Sequence, residues 1–141
     1  LLVVPFMMLS AGWISMVEAW MGPQDEQDIV RKVRDPQHQA EMIAGLLYAV
    51  LVAPIVEEIV FRGFLLGALE RSRGPVLAVV VSGVVFGFFH ISDPVTVVPL
   101  VAMGICLGWL RIRSESLWPA WVMHIANNAV SLTLVLLEGG A

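Results

Sequence analysis

Hydrophobic and polar positions separate along this chain into five long apolar stretches, at 1–21, 42–69, 75–91, 94–110 and 117–137. Each approaches the roughly 17 to 25 helical residues that cross a hydrocarbon core. An open strand would leave backbone groups unpaired in lipid, so these stretches predict helices even at Val79-Val80-Val81, which would favour a strand in water. The expected fold class is an all-α, polytopic transmembrane helical bundle of about five spans around an intramembrane polar cavity. Residues 1–141 read as a single membrane-embedded domain, with 42–137 as its functional core. The chain opens on Leu1-Leu2-Val3-Val4 without Met or a basic segment, so further spans are expected on its N-terminal side.

The one long polar stretch, 22–41, mixes Asp25, Glu26, Asp28, Asp35 and Glu41 with Arg31, Lys32 and Arg34 and reads as a solvated loop or short surface helix. Arg71 and Arg73 close one short loop and Arg111 and Arg113 another, while Ser92-Asp93-Pro94 between them carries no base. The positive-inside rule puts both Arg loops in the cytoplasm, against a 22–41 loop that holds three basic residues of its own.

Composition supports the pattern: 58% of the 141 residues are hydrophobic and 14% charged, where a soluble domain carries about 25% charged. A net charge of −4, with the 8 Lys and Arg residues scattered, excludes a nucleic-acid partner and leaves membrane lipid as the first one. A single cysteine, Cys106, excludes an internal disulfide and a Cys-based zinc motif.

Against that background Glu57, Glu58 and Arg62 stand out near the middle of the second stretch. Each charge at a helix centre costs about 2.5 to 3.5 kcal/mol to insert, so the three must face the bundle interior and find partners. Glu58 and Arg62 are four apart with the acid on the N-terminal side, the favourable order for an ion pair. Glu57 points about 140° away from Arg62 and is left available for chemistry. Pro54 removes a donor and crowds the Val50 carbonyl, which should kink or open the helix beneath the acidic pair. A structural ion pair with a spare glutamate is the plain alternative.

The third stretch ends Phe86-Gly87-Phe88-Phe89-His90, with Phe86 one turn from His90 and with Gly83 and Gly87 allowing a neighbouring helix to approach closely. The fifth carries His124 and Asn128 four apart on one face, where two donors could meet a single oxygen. Asn127 lies off that line and suits an interhelical bond, and either histidine alone is equally compatible with helix-to-helix hydrogen bonding. Counting helical rise from the Arg loops places His90 about 22 Å deep and His124 about 10 Å deep.

Taken together, Glu57-Glu58-x-x-x-Arg62, Phe86-x-x-x-His90 and His124-x-x-x-Asn128 resemble, in order and placement, the three motifs of the CAAX protease and bacteriocin-processing (CPBP, Abi) family of intramembrane endopeptidases. The resemblance spans roughly 42–137. It implies an endopeptidase of a prokaryotic plasma membrane that cuts a membrane-anchored peptide or protein, such as a prenylated Cys-a-a-X protein or a bacteriocin leader. It further implies that Glu57 and His90 activate water, that His124 and Asn128 hold the oxyanion, and that Glu58, Arg62 and Phe86 support them. No cofactor is required in that mechanism; in the alternative, a divalent metal such as zinc would be held by Glu57, His90 and His124.

Other readings make distinct demands. A serine protease would pair Ser82 with His124, but no Gly-x-Ser motif surrounds Ser82. An aspartyl protease lacks its second aspartate, since Asp93 is the sole one in the spans and their short loops. A non-catalytic peptide-binding or bacteriocin-immunity factor would use the same pocket without turnover, and a proton-coupled transporter would use the acids and histidines as a relay.

Overall fold

The structure is a computed structural model that describes residues 3–21 and 39–138, so most of the polar 22–41 stretch lies outside the described residues. Five helices account for nearly all of what is described, and no strand occurs among the described residues. Helix α1 is Val3–Met21, α2 runs without a break over 39–73, α3 is Pro75–Phe88, α4 is Pro94–Ser114 and α5 is Trp118–Glu138. The valine runs are helical, as a lipid solvent demands of any spanning segment.

Several boundaries differ from the sequence expectation: α2 runs on to Arg73 and α4 to Ser114, so Arg71, Arg73, Arg111 and Arg113, expected in short loops, lie in last helical turns. Helix α2 begins at Gln39, so Glu41 is in its first turn and not in the preceding loop. The third stretch does not stay helical to Ile91: α3 has 14 residues and ends at Phe88, a length of about 21 Å that falls short of a hydrocarbon core of about 30 Å. Among the described residues, α2 and α4 are long and apolar enough to cross a membrane on length and composition.

Gly74 alone separates α2 from α3. Its φ of 81° suits a residue without Cβ, and Pro75 then starts α3 where no backbone donor is needed.

Helices α3 and α4 share the most extensive contact between described helices. A Cβ on Gly83 would stand 2.6 Å from the Ile105 backbone nitrogen, and one on Gly104 would stand 2.8 Å from the Gly83 Cα. The glycines of α3 therefore do what their spacing predicts, and Gly104 of α4 is the matching surface. Phe61, Phe86, Met103, Leu107, Ala120 and Met123 fill the core from α2, α3, α4 and α5.

Two π-helical turns interrupt α2, at Tyr48–Val52 and Ile59–Leu65, on either side of the α-helical segment Ala53–Glu58. The first explains how Pro54 is accommodated. The Ala53 N–H reaches back five residues to the Tyr48 carbonyl, and Pro54 has no N–H to offer, so the Ala49 carbonyl loses its partner within the helix. Asn128 Nδ2 of α5 donates to it at 3.0 Å. The helix opens beneath the acidic pair, as the proline predicts, and a side chain from another helix closes the gap.

Pro99 repeats the logic in α4. It cannot donate to the Val95 carbonyl one turn earlier, and Trp13 Nε1 of α1 donates to that oxygen at 2.9 Å. Ser82 Oγ likewise donates to the Phe61 carbonyl inside the second π turn, at 3.0 Å. Three orphaned or loosened carbonyls thus become the points at which α1, α3 and α5 are fixed to their neighbours.

Candidate active site

The π turn at Ile59–Leu65 widens the helix where Arg62 projects inward, and Arg62 is fully buried. Its Nη1 donates to Glu58 Oε1 at 2.9 Å and its Nη2 to the Gly104 carbonyl at 3.0 Å. The guanidinium carbon lies 4.5 Å from the centre of the Phe86 ring, within the range of a cation–π contact. The pair that the i, i+4 spacing predicts is therefore formed. Close approach of α3 and α4 through their glycines brings the Gly104 carbonyl within reach of Arg62.

Glu58 Oε1 also meets His124 Nδ1 at 2.9 Å. Facing a carboxylate, that nitrogen carries the hydrogen, which leaves Nε2 as the variable position of the ring. Nε2 lies 3.5 Å from Glu57 Oε2, longer than a good hydrogen bond. The side chains of Glu58 and His124 are buried, whereas that of Glu57 is 24% exposed.

His90 lies beyond the end of α3, in a turn. Its Nδ1 is 3.1 Å from the Phe86 carbonyl; against a carbonyl oxygen this nitrogen must donate, so in the neutral ring Nε2 holds a free lone pair. The ring folds back along the helix to make this bond. His90 and His124 flank the same Phe86 ring, with centroids 5.2 and 5.6 Å away. His90 is also within electrostatic reach of Glu57.

Glu57, Glu58, Arg62, Phe86, His90 and His124 are thereby brought into one cluster. Asn128 Nδ2 donates to the Ala49 carbonyl, while His124 faces the two glutamates. Asn127, expected to bond a neighbouring helix, is buried with its Oδ1 unpartnered. Ser82 is fully buried with its hydroxyl on the Phe61 carbonyl, away from the role of a nucleophile.

Among the described residues no three His, Cys, Asp or Glu side chains are grouped so as to hold a metal ion. Glu57 and His124 are adjacent, but His90 does not complete a three-ligand set with them, and a catalytic zinc normally has three protein ligands.

Sequence reasoning passed over Trp13, Gly104 and the Ala49 and Val95 carbonyls. The usable signal was the pair of internal prolines, each of which announces an oxygen in need of a donor.

The family model described as Type II CAAX prenyl endopeptidase Rce1-like matches residues 39–130, which include every residue of this cluster. The chain belongs to that family. A Bacillus subtilis (strain 168) protein named "Putative membrane peptidase YdiL" is 30% identical over 91 residues, covering 64% of this chain and 37% of the relative. A Mycoplasma capricolum protein described as uncharacterized is 31% identical over 98 residues, covering 67% of this chain and 28% of the relative. The chain spans about a third of the length of these curated relatives. No solved structure matches it. Membership in the Rce1-like family, with the two long apolar helices, makes this an integral membrane protein of a membrane-protease family.

Proposed function

We propose that the chain is the catalytic core of an intramembrane endopeptidase that hydrolyses a peptide bond of a membrane-anchored substrate, using water activated by Glu57 and His90. The observation that carries this reading is the asymmetry of the acidic pair. Glu58 is buried and matched by Arg62 and His124, while Glu57 is partly exposed, outside the Arg62 pair and 3.5 Å from a histidine nitrogen. A carboxylate within an apolar spanning segment is a functional group by default.

In this mechanism the lone pair of His90 Nε2 and the Glu57 carboxylate take up a water molecule, and Glu57 accepts one of its protons as the oxygen attacks the substrate carbonyl. The C–O bond forms directly, with no acyl-enzyme. His124 Nε2–H and the Asn128 amide hydrogen that is not on Ala49 stabilise the oxyanion. Collapse breaks the C–N bond, and Glu57 returns its proton to the leaving amine. Glu58 and Arg62 fix the ring of His124, and Phe86 spaces the two histidines.

The family description supports a prenylated C-terminal Cys-a-a-X segment as substrate, with a bacteriocin leader as the other candidate. The Bacillus and Mycoplasma relatives support a prokaryotic plasma membrane as its place.

The test is cleavage of liposome-tethered peptides, a farnesylated Cys-a-a-X peptide among them, by the full-length protein and by its Glu57→Gln and His124→Ala variants. Cleavage by the wild type that both variants lose, with helicity unchanged by circular dichroism, is the expected result. Saturable peptide binding without cleavage, unaltered in Glu57→Gln, would instead make the protein a binding or immunity factor.

A further inference from the structure

Helix α1 lies outside residues 39–130 that carry the family match, yet it packs on α4 and α5. Its Trp13 indole donates to the Val95 carbonyl, 82 residues away, at 2.9 Å. That oxygen is free only because Pro99 withholds the N–H that would bond it in a regular helix.

Val95 sits in the first turn of α4, directly after the turn that holds His90, and the two are joined by an unbroken series of short backbone bonds. His90 N–H donates to the Gly87 carbonyl at 3.1 Å, Asp93 N–H to the His90 carbonyl at 3.0 Å, and Thr96 N–H to the Asp93 carbonyl at 3.1 Å. Thr96 Oγ1 reinforces the last of these at 2.9 Å. A segment so connected moves as a unit, and its end on α4 is held from outside by Trp13.

We propose that Trp13 is a positioning residue for His90: by capping the carbonyl that Pro99 exposes, it ties α1 to the turn on which His90 is carried. The inference rests on the reading of His90 as part of the water-activating pair, and on geometry that stands apart from it. Because Val95 needs one donor and either an indole or a backbone N–H could serve, Trp13 and Pro99 form a matched pair. Pro99→Ala supplies an N–H to Val95 and makes the indole redundant.

The test is a double-mutant cycle in the full-length protein with Trp13→Phe, which keeps an aromatic ring and removes the N–H, and Pro99→Ala. On whichever tethered peptide the wild type cleaves, Trp13→Phe should lower kcat roughly tenfold with little change in KM, the size expected for a slightly misplaced catalytic group. In the Pro99→Ala background the same change should cost less than about twofold. Imidazole nitrogen resonances of labelled protein give a readout that needs no turnover. Trp13→Phe should shift those of His90 and leave those of His124 in place, and Pro99→Ala should restore them. Equal effects of Trp13→Phe in both backgrounds, or equal shifts at both histidines, would overturn the proposal and reduce Trp13 to packing. If the wild type cleaves nothing, the protease reading fails while the resonance cycle still decides whether Trp13 positions His90.

Discussion

Arg62→Met is the perturbation whose consequence follows most directly from the geometry. Methionine keeps much of the stem but removes a charge that is 2.9 Å from Glu58 Oε1, a donor 3.0 Å from the Gly104 carbonyl, and a cation 4.5 Å from the Phe86 ring centre. Glu58 is fully buried, with Oε2 already lacking a partner, so the variant leaves its carboxylate with His124 Nδ1 alone. A carboxyl-bearing residue near a helix centre opposes insertion by about 2.5 to 3.5 kcal/mol. Loss of an interhelical hydrogen bond adds about 0.6 kcal/mol, so the variant should be destabilised by about 3 to 4 kcal/mol. Glu58→Met in the same chain removes the stranded charge and should recover half or more of that loss, since a broken buried pair costs more than an absent one. The assay is reversible unfolding of the full-length protein from mixed micelles by titration with dodecyl sulfate. A cost below about 1 kcal/mol for Arg62→Met, or a double variant whose cost equals the two single costs combined, would refute the reasoning.

Other substitutions test separate features. Gly83→Ala or Gly104→Ala should destabilise the bundle severely, because the added Cβ would meet backbone at 2.6 and 2.8 Å respectively, whereas Gly45→Ala, with open space around it, should cost nothing measurable in the same unfolding titration. Ser82→Ala should lose about 0.6 kcal/mol with its bond to the Phe61 carbonyl and retain cleavage; abolished cleavage in a folded variant would restore the serine-protease reading. Pro54→Ala offers the helix a new N–H for the Ala49 carbonyl, so Asn128→Ala should destabilise the Pro54→Ala protein less than the natural one, by unfolding midpoint.

What could be read from the chain was whatever depends on spacing within one helix. The five helices, the Glu58–Arg62 pair, the approach of Phe86 to His90 and the role of Gly83 all follow from period and neighbours at i+3 or i+4, and the structure contains each. What depends on where a helix stops was less legible. Nothing in Phe88-Phe89-His90-Ile91 says that α3 ends at Phe88, or that the His90 ring bonds back to the Phe86 carbonyl and flanks the same Phe86 ring as His124. Contacts between distant helices were hidden, because which side chain answers a freed carbonyl is decided by packing. Pro54 announced a vacancy without naming Asn128, and Pro99 another without naming Trp13. His124 had a face but no partner until α2 and α5 were set side by side, when it proved to lie between Glu57 and Glu58.

The central claim is that Glu57 is the base, and it is tested most directly by measuring kcat and peptide affinity separately for the wild type and Glu57→Gln on one tethered substrate in liposomes. Glutamine keeps the shape of the side chain and cannot accept the proton. The expected result is a fall in kcat of about 10²- to 10⁴-fold, the contribution of a positioned general base, with peptide binding changed by less than about twofold. A Glu57→Gln protein that turns over within about threefold of the wild type would contradict the claim and move the base to another residue of the cluster.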